Sequence, residues 1–275
     1  MLSILIFWAA ALSGPIITPQ YPEFKIVIHI PATRLSLYKD GEMLQQFKVA
    51  VGQKDYPTPI GKDNIKQIIW NPWWYPPKDA EWAEEEEETP PGPGNPLGMV
   101  KLVLSGDLRM HGTNQDASIG TPASHACVRL HNRDAKKLAW ILQSQLTDQF
   151  DEKLLKKYAD NPDKSFFATL GKEVPVEFIY DPIEIHGDKI VVYADIYSKI
   201  DNKKEMLWNE LRSHGIDPEQ CDQKQLELLL KKWRRGKTTQ IERAHLLNQT
   251  PNPPHPQSPP KNGPANRSVP AANAP

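Results

Sequence analysis

The segment 24–30 reads FKIVIHI. The segment 34–51, RLSLYKDGEMLQQFKVAV, follows it after three residues and is interrupted by Lys39-Asp40-Gly41. Apolar residues alternate at Leu35 and Leu37, and again at Phe47, Val49 and Val51. A period of two places one set of side chains on one face of a strand. Asp-Gly between two such runs is a hairpin signal. A chain that opens this way is committed early to sheet. Later segments agree: KQIIW (66–70), MVKLVLSG (99–106), LRMHG (108–112), VPVEFIYD (174–181) and KIVVYADIY (189–197) all read as strands. A helix is expected after 131, capped by Asn132 or Asp134 and carrying Ala135, Leu138, Ala139, Ile141 and Leu142 on one face. The class is mainly β with a minority of helix.

Prolines mark where the sheet pattern breaks. The sequence holds 27 of them against 15 glycines. TPIG (58–61) reads as a turn, and NPWWYPP (71–77) is too proline-rich for a sheet interior. Residues 78–98 read as an insertion whose Glu84–Glu88 run suits a solvated surface, because adjacent carboxylates diverge. Trp70, Trp73 and Trp74 could line a glycan groove, but packing beneath the insertion is the expectation. Residues 201–248 form a helical region with amphipathic faces, expected to dock on the preceding domain because an exposed LELLL stripe is a liability. Residues 249–275 are proline-rich with little apolar bulk and read as a disordered tail.

At the other end, LSILIFWAAAL (2–12) is shorter than the about 20 residues that a membrane span needs. It suits the apolar part of a secretory signal, with Ala11 and Ser13 at cleavage spacing. Residues 1–20 are therefore read as signal-like, and the protein as exported with no stable membrane span. The formal charge of −1 asks for no nucleic acid. Two cysteines make neither a disulfide scaffold nor a four-cysteine zinc site.

The residues able to do chemistry gather in 109–134, RMHGTNQDASIGTPASHACVRLHNRD. Cys127 has His125 two residues before it and His111 sixteen before it. A cysteine with a histidine is the minimum for nucleophilic acyl transfer: the thiolate attacks a carbonyl while the imidazole takes and returns the proton. A lone buried cysteine is also simply a small apolar side chain. His29 sits in a strand and reads as structural. His131, His186 and His214 lack ligand partners at metal spacing. Cys221, in the helical region, reads as a spare thiol.

Ser124-His125-Ala126-Cys127-Val128-Arg129-Leu130 resembles the Ser-His-Gly-Cys-Val-Arg-Leu/Met signature of the L,D-transpeptidases, the YkuD-type cysteine enzymes of bacterial cell walls. His111-Gly112-Thr113 resembles that family's upstream histidine box. The resemblance covers about 24–145, with weaker likeness to 198. It implies an L,D-transpeptidase-like antiparallel β-sandwich with one or two packed helices over 21–200, including a C-terminal β extension, and a C-terminal helical extension beyond. It implies Cys127 as nucleophile and His111 as proton donor and acceptor, oriented by a main-chain carbonyl near Gly112 or Thr113. The N–H groups of His125, Ala126 and Cys127 would form an oxyanion hole. Ser124 would serve as a loop hydrogen bonder. Arg129 is open to two roles, holding a substrate carboxylate or bracing the loop.

The implied donor is a peptidoglycan tetrapeptide stem. Attack on its third, diamino acid residue releases D-Ala, and the acyl group passes to a stem-peptide amine, a lysine of a wall or outer-membrane protein, or water. No metal or cofactor is required, and a periplasmic location follows. Carbapenems would acylate the same cysteine. Ala126 departs from the family glycine. If that position needs a positive φ, alanine carries roughly 1 kcal/mol of strain. Two other readings therefore stay open: a catalytically impaired wall-binding or scaffold protein, and a cysteine peptidase acting on protein.

Overall fold

The computed structural model describes residues 22–78, 80–104, 108–148 and 150–247. The expected signal-like segment 1–20 and the tail 249–275 lie outside the described residues. The chain runs β1 (Phe24–His29), β2 (Arg34–Lys39), β3 (Glu42–Gly52), β4 (Gly61–Trp70), β5 (Val100–Leu104), β6 (Arg109–His111), β7 (Pro122–Ser124) and β8 (Val128–Leu130). Helices α1 (Asn132–Leu146) and α2 (Lys153–Asp160) follow, then β9 (Phe166–Ile179), β10 (Ile183–His186) and β11 (Lys189–Val192). The last part holds α3 (Lys203–Ser213), α4 (Gln223–Arg234), β12 (Thr239–Glu242) and α5 (Arg243–Leu246).

The opening hairpin forms as its alternation requires, with Asp40 and Gly41 both at positive φ in the turn. The larger sheet has the order β2-β1-β9-β4-β5-β6-β8-β3-β7, and β2 also pairs with β3. The sheet therefore closes on itself. An antiparallel sandwich was the expectation; the structure has instead a barrel-like sheet with three parallel pairs, β1–β9, β3–β7 and β6–β8. The eleven-residue β3 explains the closure. Its first part pairs with β2, and Val49 and Ala50 pair with β8. A register shift at Leu37/Tyr38 lets the ladder bend.

Inside the barrel, Ile26, Leu35, Val49, Leu102, Met110 and Val128 are all fully buried. Helix α1 closes one side with Ala135, Leu138, Ala139, Leu142 and Leu146 at helical spacing. Neither expected residue caps it. The cap position is His131, which makes no side-chain cap bond, and Asn132 is the first helical residue with its amide turned elsewhere. The aromatic cluster divides. Trp70 is buried, stacked on Tyr158 of α2, and donates to Gln143. Trp73 is not packed beneath the insertion: it is 40% exposed and stacks on exposed Tyr75.

The second apolar cluster is separate. Ile183, Ile190 and Val192 of β10 and β11 pack with Leu207 and Leu211 of α3 and with Leu226, Leu229, Leu230 and Trp233 of α4. Strand β12 completes the small sheet β10-β11-β12. The LELLL stripe is thus buried mainly against this small sheet and its helices, with Leu228 left exposed. The join to the barrel is polar. Glu184 accepts from Arg34 and Tyr193 and meets His29 Nε2 at 3.1 Å. Arg34 and Tyr193 hold the Glu184 carboxyl down at about 2 against the opposing effect of burial. No helix among the described residues is long and apolar enough to cross a membrane.

Candidate active site

Strands β6 and β8 lie side by side and parallel, with Met110 opposite Val128 and His111 opposite Arg129. Alternation sends Met110, Val128 and Leu130 into the core. His111 and Arg129 project to the other face, and Cys127 precedes β8 by one residue, two before Arg129. His111 and Arg129 are eighteen residues apart in sequence; the parallel pairing makes them neighbours, with Cys127 just ahead of β8.

His111 is buried, and its Nδ1 lies 2.5 Å from the carbonyl oxygen of Gly112. A carbonyl only accepts, so Nδ1 carries the proton and Nε2 is the basic nitrogen. Burial pushes the His111 imidazole down to about 4; the Gly112 bond opposes this, and the charges of Arg129 and Lys101 add to it. Cys127 is a free, partly buried thiol. Burial raises its pKa, while the backbone N–H of Arg109 and the charges of Arg109, Arg129 and Lys101 oppose the rise. At neutral pH the imidazole and the thiol are therefore both uncharged.

The chain around Cys127 is tied down from several sides. Ser124 is buried, and its hydroxyl donates to the Cys127 carbonyl. Ala126 has φ +73°, the left-handed region that favours glycine. The Thr58 hydroxyl donates to the Ala126 carbonyl at 2.7 Å and accepts from Gly52 N at 2.8 Å. Tyr197 in turn donates to the Gly52 carbonyl and accepts from Thr58 N. The histidine box is held by Asn132, whose Oδ1 accepts from Met99 N (2.9 Å) and whose Nδ2 donates to Thr113 O (2.8 Å). A Cβ on Gly112 would run into that same Asn132 oxygen, so glycine is required there by close approach. Thr113 is buried, and its hydroxyl accepts from Gln115 N. Arg129 donates to Gln115 Oε1 at 3.1 Å.

The other side of the loop is aromatic. A single 3-10 turn, Glu81–Ala83, carries Trp82 onto the ring of His125, with centroids 4.1 Å apart and planes 6° from parallel. Tyr56 meets the same ring edge-on at 4.7 Å. Asn95, fully buried, ties the insertion together by donating to the carbonyls of Pro72, Thr89 and Pro90. The run Glu84–Glu88 is exposed throughout.

Several residues at the site were missed by sequence reading. Lys101 and Arg109 share the face of His111; burial alternates along Val100–Leu104 and places Lys101 on that face, although Val103 blurs the alternation in the sequence itself. Thr58 was read only as part of a turn. Trp82 and Tyr197 had no local signal. Elsewhere, His131, His186 and His214 each meet a single carboxylate, from Asp116, Glu184 and Glu210 respectively. Among the described residues no three His, Cys, Asp or Glu side chains group as a metal site. Cys221 is a free thiol too, buried in the second cluster, with its sulfur 3.4 Å from Asp217 O.

The model of the L,D-transpeptidase catalytic domain (YkuD) matches residues 23–192. Among curated relatives, the probable L,D-transpeptidase YbiS of Escherichia coli (strain K12) is 33% identical over 131 residues, covering 45% of this chain and 43% of the relative. The probable L,D-transpeptidase ErfK/SrfK of the same strain is 30% identical over 131 residues, covering 45% and 42%. The putative L,D-transpeptidase YkuD of Bacillus subtilis (strain 168) is 30% identical over 133 residues, covering 46% and 68%. The matched stretch thus spans somewhat under half the length of the two Escherichia coli relatives. Among solved structures, an L,D-transpeptidase from Mycobacterium smegmatis matches at 18% identity and TM-score 0.38, covering 57% of this chain and 59% of that one.

Proposed function

The chain belongs to the L,D-transpeptidase (YkuD) catalytic domain family, and from that premise we propose that it is an exported, periplasmic cysteine acyltransferase of peptidoglycan. Cys127 Sγ attacks the carbonyl of the third, diamino acid residue of a tetrapeptide stem. His111 Nε2 takes the thiol proton as the carbon–sulfur bond forms. The oxyanion is received by the N–H groups of His125, Ala126 and Cys127; one such donor is worth roughly 2.7–4 kcal/mol in other acyl-transfer enzymes. Collapse breaks the carbon–nitrogen bond, and the His111 proton leaves with the D-Ala amine. The thioester then passes to a second stem's amine, giving a 3–3 cross-link, to a protein lysine, or to water. Each route restores the thiol.

The observation that carries this reading is the His111 Nδ1–Gly112 bond. It fixes the tautomer, leaves Nε2 basic, and sits on a strand adjacent to the one that Cys127 leads. An uncharged imidazole at neutral pH suits a general base that waits for its substrate.

Ala126 supports a second reading, an impaired enzyme retained as a wall-binding scaffold, because its φ is one that alanine resists. A strain of roughly 1–2 kcal/mol is small against the 8–23 kcal/mol by which enzymes commonly lower barriers, and the Thr58 bond holds the loop in place. Catalysis is therefore the preferred reading. The test is incubation with disaccharide-tetrapeptide beside a Cys127→Ala control. Release of D-Ala with dimer, tripeptide or a lysine adduct is expected from the native protein alone. No release, with Cys127 shown reduced, would favour the scaffold.

A further inference from the structure

Tyr197 lies beyond residue 192, where the span matched by the family model ends. Its hydroxyl nevertheless reaches the chain that packs on the Cys127 loop. It donates to the Gly52 carbonyl at 2.8 Å and accepts from Thr58 N at 3.0 Å. One oxygen thus pins both ends of the turn 52–58. The Thr58 hydroxyl accepts from Gly52 N and donates to the Ala126 carbonyl at 2.7 Å. Tyr197 and Thr58 are both buried. A Cβ on Gly52 would collide with the backbone of Tyr56 and Thr58, so the turn closes tightly.

The Ala126 carbonyl and the Cys127 N–H belong to one peptide unit. That unit is planar and trans, so the two groups point in opposite directions. Holding the oxygen from one side therefore aims the N–H at the other. A hydrogen bond accepted by the carbonyl also polarises the amide and makes its N–H a better donor. The Cys127 N–H is one of the three donors assigned to the oxyanion, and such donors act by being fixed before charge develops. Ala126 does not fix this peptide by itself, because its φ of +73° is one that alanine resists. The restraint comes from Thr58.

Tyr197 is anchored in turn from the side of the helices. Its backbone N–H donates to the Tyr180 hydroxyl at 2.9 Å, and the two rings stack with centroids 5.5 Å apart. Tyr180 donates to Asp195 at 2.8 Å. Asp195 also accepts from Lys199 N, Ile200 N and Lys203 Nζ, and Lys203 opens α3.

We propose that Tyr197 is a positioning residue for acyl transfer: acting through Thr58, it aims the Cys127 N–H at the oxyanion, so that the segment 193–200 completes the active site. The proposal rests on the acyl-transfer reading.

The test compares two reactions of Cys127 in the full chain. Nitrophenyl acetate acetylates the thiol through a tetrahedral oxyanion, and nitrophenolate leaves. Iodoacetamide alkylates the same thiol by displacing iodide, with no oxyanion. Both are followed at Cys127 by peptide mass, beside a Cys127→Ala control. Tyr197→Phe keeps the stacked ring and removes the hydroxyl. It is expected to slow acetylation about tenfold or more, part of the roughly 10²–10³-fold cost of losing one oxyanion donor. Alkylation should stay near the native rate. D-Ala release from disaccharide-tetrapeptide should fall in kcat with KM little changed. Thr58→Val should show the same contrast, and Thr58→Ser should restore the native ratio. Adding Tyr197→Phe to Thr58→Val should cause little further loss, because the two act as one unit. Equal slowing of both reactions, or of neither, by a Tyr197→Phe protein that melts above the assay temperature overturns the proposal. If that variant melts below it, Thr58→Val decides, and the absence of the contrast there overturns the proposal too. So does a double variant whose losses multiply, or a native Cys127 that iodoacetamide alkylates and nitrophenyl acetate leaves untouched. Acetylation that depends on Tyr197, without D-Ala release by the native protein, would contradict only the peptidoglycan substrate.

Discussion

On one side of Cys127 the wall is regular sheet. Lys101, His111 and Arg129 stand in register on β5, β6 and β8, with Leu102, Met110 and Val128 fully buried on the reverse face. On the other side the wall is aromatic and rides on irregular, proline-rich backbone. Tyr56 follows β3, and Trp82 sits on one 3-10 turn inside the insertion. The first wall is held by the core, so its geometry is fixed by interactions that also hold the fold. The second is held by ring stacking and by Asn95. On the proposed mechanism the two differ in role as well: the sheet wall would do the chemistry, and the aromatic wall would shape access to it.

Substitutions rank the two walls. Leu102→Ala, beneath the row, is expected to cost about 2–5 kcal/mol of stability in denaturant titration, and to slow acylation even where the protein stays folded. A loss below 1 kcal/mol would break the claim that this wall is core-held. Asn132→Ala should cost about 1–3 kcal/mol, because Met99 N–H and Thr113 C=O both lose a partner. Acylation should slow with it, since the histidine box is no longer clamped. Ala126→Gly should stabilise by about 0.5–1 kcal/mol, the relieved strain being partly offset by glycine's greater unfolded-state freedom. A destabilised glycine variant would mean that φ +73° carries no strain in solution. Trp82→Ala should change stability by less than about 0.5 kcal/mol and act on KM alone. A fall in kcat with KM unchanged would place Trp82 in the chemistry and erase the contrast.

The two walls were also unequally legible in sequence. Alternation at Leu35, Leu37, Phe47, Val49 and Val51 forecast strands that formed, because period two is a local property of a half-buried strand. The closure of the barrel was not legible. Nothing in β3 announces that its two halves pair with different partners, and an expected sandwich became a closed sheet. Lys101 and Arg109 were readable in principle, given the partners of β5 and β6. Trp82 was not, because ring stacking across some forty residues leaves no periodic trace. The 201–248 region was read as helix and expected to lie on the main domain. Its apolar faces bury Ile183, Ile190 and Val192, strand residues inside 21–200, and what that reading lacked is β12, which joins the same small sheet. The Tyr197–Thr58–Ala126 chain of bonds runs from just beyond β11 to the loop before Cys127. It joins segments that no local pattern relates.

The measurement that bears most directly on the account is the single-turnover rate of Cys127 acylation by the tetrapeptide as a function of pH, for the native protein and for His111→Gln. A general base must be unprotonated, and His111 is held down to about 4. The native rate should therefore hold steady from pH 8 down toward pH 4 and fall below that as the imidazole gains its proton. His111→Gln should be slower at pH 7 by about 10²–10⁴-fold while melting like the native protein. A native limb near pH 6.5, or a glutamine variant that acylates at the native rate, would contradict the claim that buried, neutral His111 drives the reaction of Cys127.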